Sequence, residues 1–104
     1  MNILLGDIGN TNTKLCLVDL INYKIKKSFY FNSNLILSKN LLKKKLNKII
    51  NSNNIYKKAL FSSVVPRYQF ILGKCLKKLY KIKLTEIKEK KINIIVKINI
   101  KNKN

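Results

Sequence analysis

Short apolar, β-prone runs fill the first third of the chain, and two stretches with helical spacing follow. Asn2 to Ile8 reads NILLGDI and ends in a Gly-Asp-Ile-Gly turn. Lys14 to Leu20 reads KLCLVDL. The GNTNT link between them is rich in turn formers, so the two runs predict a β-hairpin. Lys24 to Phe31, KIKKSFYF, predicts a third strand whose aromatics suit a half-buried sheet position. Asn32 to Asn34 breaks the pattern. Ser38 then predicts the cap of a helix running to about Ile50, with Leu42, Leu46, Ile49 and Ile50 on one face. Lys58 to Val65 predicts a buried strand closed by Pro66. A second helix follows, with Tyr68, Ile71, Leu72, Cys75, Leu76 and Leu79 on its apolar stripe. Tyr80 to Ile87 predicts another strand, and Ile92 to Ile100 alternates over its second half. The order is β-β-β-α-β-α-β with one further candidate strand. This is an α/β chain with a mixed sheet: the first three strands antiparallel, the later ones joined through crossovers.

A length of 104 residues fits one domain and leaves no room for a deep cleft between two. The net charge is +19, from 23 basic and 4 acidic residues, and every basic residue but Arg67 is lysine. Lysine, asparagine and isoleucine make up about half of the chain. All three have A/T-rich codons, so an A/T-biased genome explains the lysines without selection for binding. At 46% hydrophobic residues the chain is too apolar for a disordered, charge-rich segment. The absence of histidine excludes histidine catalysis and histidine-containing zinc sites. Cys16 and Cys75 form no C-x-x-C unit and fit reduced, buried thiols. The first 13 residues carry no lysine, so no signal-peptide n-region is present, and uncharged stretches such as Ser28 to Ser38 are too short to span a bilayer. A soluble, cytoplasmic chain without membrane association is expected.

The segment with chemistry in it is Asp7-Ile8-Gly9-Asn10-Thr11-Asn12-Thr13. A carboxylate ends an apolar strand, and a glycine then permits a tight turn or a close backbone approach. Small polar residues follow, with hydroxyl, amide and backbone N–H donors. Such a bend is a cradle for phosphate oxygens, with Asp7 near enough to hold a hydrated Mg²⁺. It is not a P-loop, since no G-x-x-x-x-G-K-[ST] occurs. A polar turn whose Asp7 bonds only to its own backbone has the same local pattern.

DIGNTNTKLCLVD resembles the first phosphate motif of the type III pantothenate kinases, also known as the Bvg accessory factor family. A second segment, Phe61-Ser62-Ser63-Val64-Val65-Pro66, is similar to that family's I-S-S-V-V-P strand end. The resemblance implies a ribonuclease H-like lobe of the actin and sugar-kinase type, within the acetate kinase, sugar kinase, Hsp70 and actin superfamily. It implies ATP-dependent phosphorylation of pantothenate to 4′-phosphopantothenate, the first step towards coenzyme A. By the same resemblance Asp7 would position Mg²⁺. Ile8, Gly9, Asn10, Thr11, Asn12, Thr13 and Lys14 would form the nucleotide-binding segment. A monovalent cation (K⁺ or NH₄⁺) and a homodimer are implied as well.

The family continues with a Gly-Ala-Asp-Arg segment carrying the catalytic base, and then with a second lobe holding a D-x-G-T motif. Neither is present here, so residues 1–104 are read as the N-terminal lobe, with the general base expected beyond Asn104. The carboxylates of this chain are Asp7, Asp19, Glu86 and Glu89, and none stands in a base motif. Asp19 reads as a turn cap. Ser62 and Ser63 lack the histidine and the G-x-S-x-G that a serine nucleophile needs. Two rival readings are a small basic nucleic-acid-binding protein, from the charge, and an inactive remnant. Lysines spread over every element and a single arginine argue against specific base readout, while weak, salt-sensitive binding to nucleic acid is expected.

Overall fold

A computed structural model describes residues 1–50 and 54–87. Five strands form one mixed sheet in the order β3-β2-β1-β4-β5. β1 (Asn2–Ile8) and β2 (Asn12–Asp19) make the expected hairpin, and β3 (Ile25–Asn32) extends it antiparallel. β4 (Ile55–Ser63) lies parallel to β1 on its other side, and β5 (Lys83–Glu86) lies parallel to β4. α1 (Lys39–Ile50) and α2 (Pro66–Tyr80) occupy the two crossovers. The sequence pattern predicts this mixed sheet, and an antiparallel meander flanked by parallel strands is the layout of the ribonuclease H-like lobe that the resemblance implies.

Strand alternation sorts the sheet into two faces. Leu4, Ile8, Leu15, Leu17, Ala59 and Phe61 share one face and are almost fully buried. Leu42, Leu46, Ile49 and Ile50 of α1 and Leu72 and Leu76 of α2 complete this main core. Gly6 belongs to the same face, and the Phe61 ring fills the space where its side chain would be. The opposite face carries a smaller cluster of Leu5, Cys16 and Val18, packed with Ile3, Ile25 and Leu60. Cys16 is therefore buried away from Leu15 and Leu17, its Sγ 3.6 Å from the Ser28 hydroxyl. Cys75 is half-buried against the main core, and that burial pushes its thiol above the ordinary value, with Lys43 opposing. Both thiols are free.

The ends of the elements follow local chemistry. Ser38 accepts a bond from the Leu41 N–H at 3.4 Å and starts α1 as expected. Asp19 caps the β2–β3 turn: its Oδ1 accepts from the Ile21 and Asn22 N–H groups, which hold its carboxyl below the usual range. A short 3-10 helix, Ser33–Leu37, precedes α1 where the sequence shows only a break.

Three expectations need correction. Val64 and Val65 do not close a buried strand. β4 ends at Ser63, whose Oγ accepts from the Val65 N–H and donates to the Val65 carbonyl, while Pro66 takes the first helical position, where its missing N–H costs nothing. Val64 is thus largely exposed. Leu79 lies outside the buried stripe of α2, 41% exposed. The strand expected over Tyr80 to Ile87 is shorter: Tyr80 ends α2, and Lys81 caps it in the left-handed conformation, at φ 58°. The candidate strand at Ile92 to Ile100 lies outside the described residues. Among the described residues no helix is long and apolar enough to cross a membrane.

Candidate phosphate-binding site

β1 is where the sheet changes sense, antiparallel to β2 on one side and parallel to β4 on the other. At the carboxyl end of β1 the two sequence motifs meet. Asp7 stands beside Ser62, Ile8 beside Ser63, and the Val64 N–H donates to the Ile8 carbonyl at 3.1 Å. The hairpin bend and the β4–α2 turn therefore form one contiguous edge, and α2 begins next to it at Pro66.

The bend itself is tight. The Gly9 N–H donates to the Asn12 carbonyl at 3.0 Å, closing it. A Cβ at Gly9 would lie 2.8 Å from that carbonyl oxygen, so glycine is required for close approach. No glycine among the described residues has a positive φ, so left-handed geometry is not the reason. Asn10, Thr11 and Asn12 are exposed, and their side chains hold no hydrogen bond among the described residues. The backbone N–H groups of Asn10 and Thr11 likewise have no partner there.

Thr13 differs from its neighbours. It pairs with Ile8, lies on the main-core face and is fully buried, with its Oγ1 2.7 Å from the Ser33 Oγ. Ile8 is also fully buried, which leaves its backbone as the part facing the edge. Asp7 and Lys14 are cross-strand partners on the opposite face, and Lys14 pairs in turn with Tyr30. The Lys14 Nζ sits 5.3 Å from the centre of the Tyr30 ring. Hydrogen bonding to Tyr30 holds the Lys14 ammonium above its ordinary value, helped by Cys16 and Asp7 and opposed by partial loss of hydration. Lys14 therefore stays charged throughout the physiological range. Asp7 is exposed, and its carboxylate is in no ion pair or hydrogen bond among the described residues.

This donor set suits one kind of metal. The described residues contain no group of three or more histidine, cysteine or acidic side chains that could cage an ion. One free carboxylate beside a run of N–H, amide and hydroxyl donors fits hydrated Mg²⁺ carried on a polyphosphate, because Mg²⁺ keeps several waters and needs few protein ligands. Neither the 270 Å³ cavity lined by Lys57, Lys58, Lys77, Lys81 and Lys83 nor the α2–β5 groove at Phe70 and Leu84 includes a residue of the bend. The bend is one open wall.

Ser33 was not visible as a site residue in the sequence, where it sits in a polar break between two asparagines. A partial signal existed for Thr13: period-two counting back from Leu17 and Leu15 puts it on the core face.

The chain is 38% identical over 102 residues to the type III pantothenate kinase of Pelagibacter ubique (strain HTCC1062), a match covering 94% of this chain. It spans 39% of the length of that relative. Among solved structures, the Aquifex aeolicus member of the Ppx/GppA family aligns with a TM-score of 0.44 and 11% identity, over 88% of this chain and 36% of that one. The family description "Type III pantothenate kinase" matches residues 3–104. The chain belongs to the type III pantothenate kinase family.

Proposed function

We propose that residues 1–104 form the N-terminal lobe of an ATP-dependent pantothenate kinase and that the β1–β2 bend is its first phosphate-binding wall. The observation that carries this reading is the sorting of groups at the bend: an unpaired carboxylate at Asp7, a charged Lys14 across from it, and exposed, unpartnered donors at Asn10, Thr11 and Asn12. ATP would supply the phosphoryl group, with Mg²⁺ offsetting its charge. Phosphoryl transfer asks the protein mainly for positioning and charge neutralisation. Asp7 would hold the Mg²⁺ through water, the Asn10 and Thr11 N–H groups and the exposed side chains of Asn10, Thr11 and Asn12 would seat the phosphate oxygens, and Gly9 would permit the close approach. Lys14 would add positive charge, its position fixed by the Tyr30 ring. Thr13 would support the bend from beneath, and Ile8 would contribute only its backbone.

None of the described carboxylates is assigned the general base. Asp19 is committed to its turn, and Glu86 lies on the far strand β5. The base and the pantothenate contacts are assigned to a second lobe facing this wall. Membership of the family further implies pantothenate as acceptor, a monovalent cation, a homodimer and a place in coenzyme A synthesis.

The direct test is Mg-ATP binding by the folded 104-residue chain and by Asp7→Asn. The carboxylate lies outside the core, so the variant is expected to keep the wild-type melting temperature within a few degrees. Its affinity for Mg-ATP should fall about tenfold or more, the scale of one charge-assisted contact. Equal affinity in the two proteins would contradict the assignment of Asp7.

A further inference from the structure

Ser33 lies 24 residues along the chain from Gly9, at the start of the 3-10 helix, and is fully buried. It is held there from both sides. Phe31 pairs with Thr13 and Asn32 with Asn12 at the end of β3, and the Asn32 side chain accepts the Asn34 N–H. Its hydroxyl and its N–H both bond to the bend. The Ser33 Oγ donates to the Gly9 carbonyl at 2.7 Å. The Ser33 N–H donates to the Thr11 carbonyl at 2.7 Å. The third contact is the 2.7 Å pair with the Thr13 hydroxyl.

A serine hydroxyl has one proton. The Gly9 carbonyl can only accept, so that proton is spent there. In the third contact Thr13 must therefore be the donor, and the Thr13 proton also points into the protein. Of the four carbonyls of residues 9–12, those of Gly9 and Thr11 go to Ser33 and that of Asn12 goes to the Gly9 N–H, while the Asn10 carbonyl has no partner among the described residues. The N–H groups of Asn10 and Thr11 are left without partners among the described residues. Carbonyl oxygens repel an anion, and N–H groups attract one.

We propose that Ser33 is a positioning residue for the bend: it draws the Gly9 and Thr11 carbonyls inward and so leaves the Asn10 and Thr11 N–H groups as the donors offered to phosphate. This rests on the phosphate reading given above. Without the hydroxyl, the Gly9 carbonyl and the buried Thr13 hydroxyl lose their partner, and the Thr11 carbonyl alone stays tied, to the Ser33 N–H. The Gly9 carbonyl is then free to turn outward.

The test compares the wild-type chain with Ser33→Ala, Ser33→Thr and Thr13→Val. Two quantities are read: Mg-ATP affinity, and amide hydrogen exchange without nucleotide at Gly9 and at position 33, whose N–H groups hold the bend by hydrogen bonds. Ser33→Ala is expected to weaken Mg-ATP about tenfold and to speed exchange in the bend about tenfold, as the loss of a buried hydrogen bond predicts. Exchange at the centres of β1 and β2 should hold at the wild-type rate, which separates a local effect from general destabilisation. Ser33→Thr, which keeps the hydroxyl, should recover most of the affinity. Thr13→Val should cost less than Ser33→Ala, because the Thr13 hydroxyl faces Ser33 and not the ligand. If Ser33→Ala fails to fold, Ser33→Cys carries the same comparison, since it keeps the shape and gives up most of the hydrogen-bond strength. Wild-type affinity in Ser33→Ala, or in its cysteine substitute, overturns the role of Ser33 and leaves the phosphate reading standing. A wild-type chain that binds no Mg-ATP overturns the phosphate reading and the role of Ser33 in it, even where the exchange data show that Ser33 fixes the bend.

Discussion

Asp7 and Gly6 are neighbours in sequence, yet they face opposite sides of the sheet and do unrelated work. Asp7 belongs to the edge where the two motifs meet, while Gly6 makes room for Phe61 in the main core. A methyl group at Gly6 would overlap the Phe61 ring, which is fully buried and has nowhere to withdraw. Gly6→Ala should therefore destabilise the chain by about 1–3 kcal/mol or more through overpacking. Phe61→Leu in the same chain should recover part of that loss, because the smaller side chain vacates the contested space. Urea unfolding of the two single variants and the double variant measures this coupling, and additive losses would show that the ring is not the obstacle. Thr13 carries the complementary lesson. A hydroxyl in a polar motif looks like a ligand for phosphate, but strand alternation turns it inward, where it donates a hydrogen bond to Ser33.

At the scale of elements, the hairpin, both helices and the parallel strands were legible because each rests on local rules. Turn formers separate the first two apolar runs, Ser38 caps α1, and the 3.6-residue stripe marks α2. What was not legible depends on contacts far apart in sequence. The 3-10 helix has no periodicity of its own, and its purpose shows only when Ser33 meets Gly9, Thr11 and Thr13. The fate of Val64 and Val65 was misread because β-branched residues favour strands, whereas the Ser63 turn and Pro66 convert them into a helix entry. The end of α2 was misread for a similar reason. A left-handed cap ordinarily shows itself as glycine, and here the position is Lys81. That leaves strain to relieve: Lys81→Gly should stabilise the chain by about 1 kcal/mol, read as a higher urea midpoint at unchanged slope. A lower midpoint would mean that Lys81 makes contacts worth more than its backbone strain.

Across the whole molecule, the +19 charge and the proposed phosphate site are separable features. The lysine-lined cavity is built from Lys57 and Lys58 of β4, Lys77 of α2, Lys81, and Lys83 of β5, and none of these belongs to the bend. Any polyanion, nucleotide included, is drawn to such a cluster by charge alone, and that attraction fades with added salt. The bend offers something different, a set of oriented donors with one carboxylate beside them. Affinity alone does not tell the two apart, so the decisive measurement is where Mg-ATP lands. Titrating Mg-ATP at moderate salt into the isotopically labelled 104-residue chain, and following its backbone amides by NMR, reads this residue by residue. The largest shifts should fall on Gly9 to Asn12 and on Val64 across the edge, and they should persist as salt is raised. Shifts centred on Lys57, Lys58, Lys77, Lys81 and Lys83, with the bend unmoved, would contradict the account.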